Sequence, residues 1–265
     1  MKKILLGSLL ATSLVMAENI KYEKSNQFIT HTKFGYVSTQ GNTNTKTYIL
    51  DSKIKKGFDK HLFALSFDGQ YAEDSNVETK NKYLIELTYD YELTDTLAFK
   101  YLFGYKEDKF SGYSYQLYTG PGISYKAIKL PKHHLSIDSV LLYSKDKFEN
   151  IDYDVDGNIV SYPNSNDTVI TRVVAGDTDN YTSFRFKAVY EWQIAEDLKF
   201  TEDTSYRTEI NDMKNYFIYS KTAFSSKISD IFSAGISYKV DYTNLEADGK
   251  KPIDKTLTAN LIVDY

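Results

Sequence analysis

The chain has 265 residues, no cysteine and a formal net charge of −4, room for one large all-β domain or two small ones. The missing thiols exclude disulfides, a cysteine nucleophile and a lipid-modified N-terminal cysteine, and the acidity argues against nucleic acid as a partner. Beyond residue 17 no apolar run approaches the ~20 residues of a membrane-spanning helix, yet a β-barrel stays open, because its lipid-facing and lumen-facing residues alternate and average to a polar composition.

The first element in chain order is an address. Lys2-Lys3 precede an apolar stretch, Ile4 to Met16, and Val15-Met16-Ala17 offers a cleavage site. This predicts a secretory signal peptide over 1–17, with a short N-terminal extension over 18–27. Its removal takes Lys2 and Lys3 with it and moves the charge from −4 to −6.

From residue 28 onward the pattern has period two. About twelve segments follow, near 28–38, 45–57, 61–72, 81–92, 97–107, 113–126, 133–146, 181–193, 198–208, 215–226, 231–243 and 255–265. In one, Phe63, Leu65, Phe67 and Tyr71 oppose Ser66, Asp68 and Gln70; in another, Leu97, Phe99, Tyr101, Phe103 and Tyr105 oppose Lys100, Gly104 and Lys106. Such alternation means strands with one apolar and one polar face. Each segment is ~9–13 residues, the length a tilted strand needs to cross hydrocarbon. The segments at 28–38 and 215–226 alternate poorly, and Glu202 falls on an apolar face. The 24 Tyr and 15 Phe suit a pleated surface and a membrane interface.

Connections alternate too. Short turns are expected at 57–60, 94–96, 130–132, 195–197 and 229–230, and longer polar ones near 39–44, 73–80, 108–112, 147–180, 209–214 and 244–254. This sorting predicts an all-β chain: a single antiparallel transmembrane β-barrel of about twelve strands over 28–265, in the cell outer membrane with both termini periplasmic. Its last strand alternates through Leu257, Ala259, Leu261 and Val263 to Tyr265. A closing aromatic of this kind is the signal expected for the outer-membrane assembly machinery. The other expected partners are outer-membrane lipid and lipopolysaccharide.

Three motifs carry a family resemblance: Gly41-Asn42-Thr43-Asn44-Thr45; Asp108-Lys109-Phe110-Ser111-Gly112-Tyr113 followed by Gly120-Pro121-Gly122-Ile123; and the closing strand from Asp254-Lys255-Thr256. In order and spacing the chain resembles the family of salt-induced outer-membrane proteins, over roughly 28–265. The resemblance implies outer-membrane location and a link to salt or osmotic conditions; it implies no catalytic residue and no substrate. The acidic insertion at 147–180 departs from that pattern.

Within the insertion, Asp152-Tyr153-Asp154-Val155-Asp156-Gly157 reproduces the first half of a calcium loop, in which carboxylates two residues apart converge on a hard cation. The twelfth position, where a bidentate Glu belongs, is Pro163. The same residues also read as a hairpin tip, because Asp-Gly and Gly-Asn favour primed turns. Calcium held by Asp152, Asp154 and Asp156 is therefore the one cofactor suggested.

Charges of both signs fall on the polar faces. Glu86, Asp90, Lys100, Lys106, Lys126, Asp138, Lys239 and Asp241 are expected to point into the lumen, with Asp90 directly opposite Lys100. They read either as a salt-bridged filling or as a charged constriction. An outer-membrane hydrolase would need a Ser–His pair; only His31, His61, His133 and His134 are available and no G-x-S-x-G exists. The chain is not expected to be an enzyme. It reads as a narrow pore for ions or small solutes, or as a non-conducting barrel acting through its outer loops.

Overall fold

The computed structural model describes residues 28–39, 44–160, 168–245 and 252–264. The expected signal peptide, the 18–27 extension, Gly41 to Thr43, Pro163 and Tyr265 lie outside them.

Fifteen strands are present among the described residues: β1 (Phe28–Thr39), β2 (Thr45–Phe58), β3 (His61–Asp74), β4 (Val77–Glu92), β5 (Leu97–Asp108), β6 (Tyr113–Lys129), β7 (His133–Phe148), β8 (Ile151–Tyr153), β9 (Ile159–Val160), β10 (Arg172–Val174), β11 (Thr178–Ala195), β12 (Leu198–Glu209), β13 (Tyr216–Lys227), β14 (Phe232–Thr243) and β15 (Ile253–Asp264). Twelve close into one antiparallel barrel, with β1 pairing β15 and β11 returning beside β7; β8, β9 and β10 form a separate three-stranded sheet. Both poorly alternating segments are barrel strands, β1 and β13.

The barrel is inverted relative to a water-soluble protein. Leu65, Leu87, Ile123, Leu141, Ile236 and Leu261 stand exposed on its outside, while Lys82, Asp90, Lys100 and Lys239 are buried. Exposed apolar area of this extent needs an apolar solvent, and a closed barrel is the β-structure that leaves no unpaired edge in hydrocarbon. Aromatic rings collect toward both ends. Tyr36–Tyr48–Tyr71 and Tyr206–Tyr216–Tyr242 ring the end of the longer loops. Phe58–Phe63–Tyr89 and His133–Trp192 ring the end of the short turns. These are the two girdles of a membrane barrel.

Glu202 lies on that outer face between the girdles. Its register partners are Tyr190 and Thr222. Ser220 and Thr222 donate hydrogen bonds to its carboxylate at 2.8 and 2.6 Å, which supplies the partners hydrocarbon cannot.

Two connections differ from expectation: the one near 108–112 spans only four residues, the same as the connection between β4 and β5. The long loop expected at 73–80 is a two-residue turn, Ser75-Asn76, with φ of 51° and 66°. Two successive positive φ values make a primed turn, whose twist matches the flanking strands. The polar residues Glu73, Asp74 and Glu78 belong to the ends of β3 and β4 rather than to a loop. Short and long connections therefore do not alternate without exception.

Closure is uneven. β1 and β15 are in register over four residues, from His31↔Asp264 to Phe34↔Leu261. All other neighbouring barrel strands pair over eleven or more.

Candidate functional site

The inward faces of β4 to β7 meet first. Leu102, Tyr118, Val140 and Leu142 form a buried apolar cluster, with Leu84 packed against it. Tyr118 lies across β5 at Gly104, its register partner, where an added Cβ would overlap the ring. Glycine is required there because an aromatic ring occupies the space of a side chain.

Tyr118 donates its hydroxyl to Glu86 at 2.7 Å, and Arg185 of β11 donates to the same oxygen at 2.5 Å. Three strands separate β4 from β11 around the ring, so this bond spans the interior as a chord. Arg207 adds its guanidinium over the rings of Tyr118 (4.8 Å) and Phe217 (4.2 Å).

Further chords cross elsewhere. Lys82 of β4 reaches Asp241 of β14 at 3.0 Å and Asp254 of β15 at 3.1 Å. Lys239 of β14 reaches Asp68 of β3 at 2.7 Å, and Lys221 of β13 reaches Asp51 of β2 at 2.5 Å. Along the wall, Asp90 and Lys100 are direct register partners bonded at 2.8 Å. Asp138 joins Lys100 at 3.5 Å, and Lys126 faces Glu92 at 3.6 Å. Lys106 lies among Asp108, Asp241, Lys82 and Arg207. Of the eight charges read from the sequence, Glu86, Asp90, Lys100, Lys126, Asp138, Lys239 and Asp241 form ion pairs within the barrel, and Lys106 lies among them. Sequence reasoning placed Gln70 on a polar face but did not single out Lys82, Arg185 and Asp51; a period-two count from Glu86, Lys187 and Lys53 reaches each of them.

The calcium-like residues are not brought together. Asp152 sits within β8, opposite Val160 and Val173. The carboxylate of Asp154 accepts hydrogen bonds from the backbone N–H of Asp156 (2.9 Å) and Asn158 (2.8 Å), and from the Asn158 amide (3.2 Å). The Asn158 backbone donor, first of several, holds Asp154 below the ordinary carboxylate range. Gly157 has φ of 81°. This is an Asx-capped hairpin tip, and among the described residues no three His, Asp or Glu side chains are grouped to hold a metal ion. The histidines are engaged at the short-turn end: His31 bonds Asp264, His61 the Tyr89 hydroxyl at 2.9 Å, and His133 the Tyr190 hydroxyl at 2.8 Å.

The interior is thus a charged, partly filled lumen inside an apolar wall. A family model described as "Protein of unknown function, DUF481" matches residues 32–265. The chain belongs to the DUF481 family. No curated protein matches the sequence. Among solved structures, this DUF481 barrel is similar to the NanC porin, at 12% identity, covering 89% of this chain and 99% of that one with a TM-score of 0.48. It is also similar to the translocator domain of the autotransporter NalP from Neisseria meningitidis, at 10% identity, 90% and 87% coverage and a TM-score of 0.48. A third is the outer-membrane channel DcaP of Acinetobacter baumannii, at 8% identity, 90% and 95% coverage and a TM-score of 0.38. Likeness this distant carries no argument about solute or mechanism, which rest on the lumen itself.

Proposed function

We propose that this protein is an outer-membrane channel with a constricted lumen, passing ions and small solutes, its two termini in the periplasm. The observation that carries the reading is the set of ion pairs that cross the interior between non-adjacent strands, Arg185–Glu86, Lys82–Asp241, Lys221–Asp51 and Lys239–Asp68. A purely structural wall needs only neighbours to pair, as Asp90 and Lys100 do. Charged chords in a wetted lumen instead narrow the path and place both signs of charge along it.

Single-channel recording of the refolded barrel in planar bilayers tests this. Small, reproducible steps are expected. Because salt screens charges that water can reach, conductance should rise more steeply with salt than bulk conductivity does. Arg185→Ala removes one chord and should enlarge the steps.

The buried cluster around Leu142 favours a second reading, a non-conducting barrel that works through its outer loops. Silence of both the wild type and Arg185→Ala at every salt concentration would select it.

A further inference from the structure

Against the wall formed by β2, β3, β13, β14 and β15 lies a cavity of about 10 Å³, comparable with the ~10–15 Å³ that one water requires. It sits beside the Lys221–Asp51 and Lys239–Asp68 chords, and Ser237, Thr258 and Asn260 also line it. Gln70 lines it too. The residue is 6% exposed, and its Oε1 has no hydrogen-bond partner among the described residues. A buried carbonyl left open is costly, and Gln70 holds one beside the cavity. The opposite side of the lumen is closed more tightly at its apolar cluster, although Asp90 and Asp146 there also keep a carboxylate oxygen without a hydrogen-bond partner among the described residues. Leu142 and Ser144 there are 0% exposed, and Ser144 is bonded to Ser183 at 2.7 Å.

We infer that the constriction is passed off-centre, in a lane along this polar wall that admits water and monatomic ions and excludes larger solutes, with the Gln70 carbonyl and the two Lys–Asp pairs as its contact points. The inference rests on the channel reading and gives it a location and a permeant class. The sign balance follows from the same groups. Both lysines that line the cavity are matched by an aspartate, and Lys33 of β1 shares Asp51 with Lys221, so the native lane discriminates weakly between cations and anions. Lys239→Gln removes the cation bonded to Asp68 and shifts preference toward cations.

Because the native chain contains no cysteine, single cysteines can map the lane with silver ion. Silver replaces the thiol proton, forming an S–Ag bond and releasing H⁺, with no redox change. Ser237→Cys and Thr258→Cys channels should lose conductance on exposure to silver. Ser144→Cys and the cysteine-free wild type should not. Lys239→Gln should displace the reversal potential in a salt gradient toward the cation value. Block at Ser144→Cys equal to that at Thr258→Cys, or an unmoved reversal potential in a conducting Lys239→Gln channel, would overturn the lane. If the wild type never conducts, the channel reading fails by itself. Loss of titratable thiol in silver-treated proteoliposomes then still judges the lane, since Ser237→Cys and Thr258→Cys must react and Ser144→Cys must not.

Discussion

The β4–β7 wall and the β1–β15 seam are opposite answers to one problem, filling the inside of a twelve-strand barrel. The first is dry and long-laddered: β7 pairs with β11 over fifteen residues, and Val140 and Leu142 at its inner face are 2% and 0% exposed. The second is in register over four residues and backs onto polar side chains and a water-sized cavity. Packing concentrated on one side leaves the other free to carry solvent. A barrel filled evenly would be either sealed or open; this one is asymmetric, and its asymmetry is what makes an off-centre lane geometrically available.

The largest effect should come from breaking the chord that anchors the dry side. Arg185→Met leaves the Glu86 carboxylate without its cation at a site where both side chains are about one-tenth exposed. Removing one partner of a buried pair costs roughly 3–5 kcal/mol. Lys239→Met leaves Asp68 25% exposed and still facing Lys221, so water and that lysine compensate and the loss should be smaller, about 1–2 kcal/mol. Urea-dependent folding into lipid vesicles, read by the heat-modifiable gel shift, gives both numbers. Equal losses would abolish the contrast between the two sides. Restoration in the Glu86→Gln, Arg185→Met double variant would show that the stranded charge was the cause.

This contrast marks where sequence legibility ends. Alternation exposed the strands and their inward faces, because neighbour pairing and side-chain period are local properties. Asp90 opposite Lys100 could be placed from one turn and a count. The chords could not, since whether Arg185 meets Glu86 depends on closure and stagger around the whole ring. The turn at Ser75-Asn76 was hidden for another reason. Polar residues at the ends of β3 and β4 read as loop, although strands that extend past the membrane interface need not alternate. The acidic motif left two readings open, calcium loop and hairpin tip. Three aspartates at calcium spacing become a hairpin once Asp154 is used by the backbone, and spacing alone does not separate the two uses.

A smaller effect should separate core from lipid-facing leucines. Leu142→Ala empties a site with no exposure and should cost about 3 kcal/mol, within the range for buried leucines that leave a cavity. Leu257→Ala on β15 removes a side chain that is 73% exposed on the outer surface. Lipid fills the vacated volume there, so no cavity term arises, and the loss should stay near 1 kcal/mol. The same folding titration decides. A Leu257→Ala loss as large as that of Leu142→Ala would mean that the lipid-facing leucine is held as tightly as the interior one.

The smallest expected effect concerns the seam without any substitution. Beyond Phe34↔Leu261, β1 and β15 have no register partner across the seam among the described residues, whereas β6 and β7 are paired on both sides. Amide exchange reports such local differences directly, because protected amides exchange only when their strand opens. In lipid nanodiscs, peptides covering 35–38 and 257–260 should take up deuterium before those covering 116–119 and 139–144. The apolar lipid outside cannot supply hydrogen bonds, so fast exchange at the seam would have to come from water inside the barrel. Uptake at 257–260 that is fast in the wild type and slows in a variant whose neighbouring cavity is filled, such as Ser237→Leu, would tie the seam and the lane to the same water. Equal protection on both sides would show that the membrane zips β1 to β15 along their full length, and the dry wall and the seam would then differ in side chains alone.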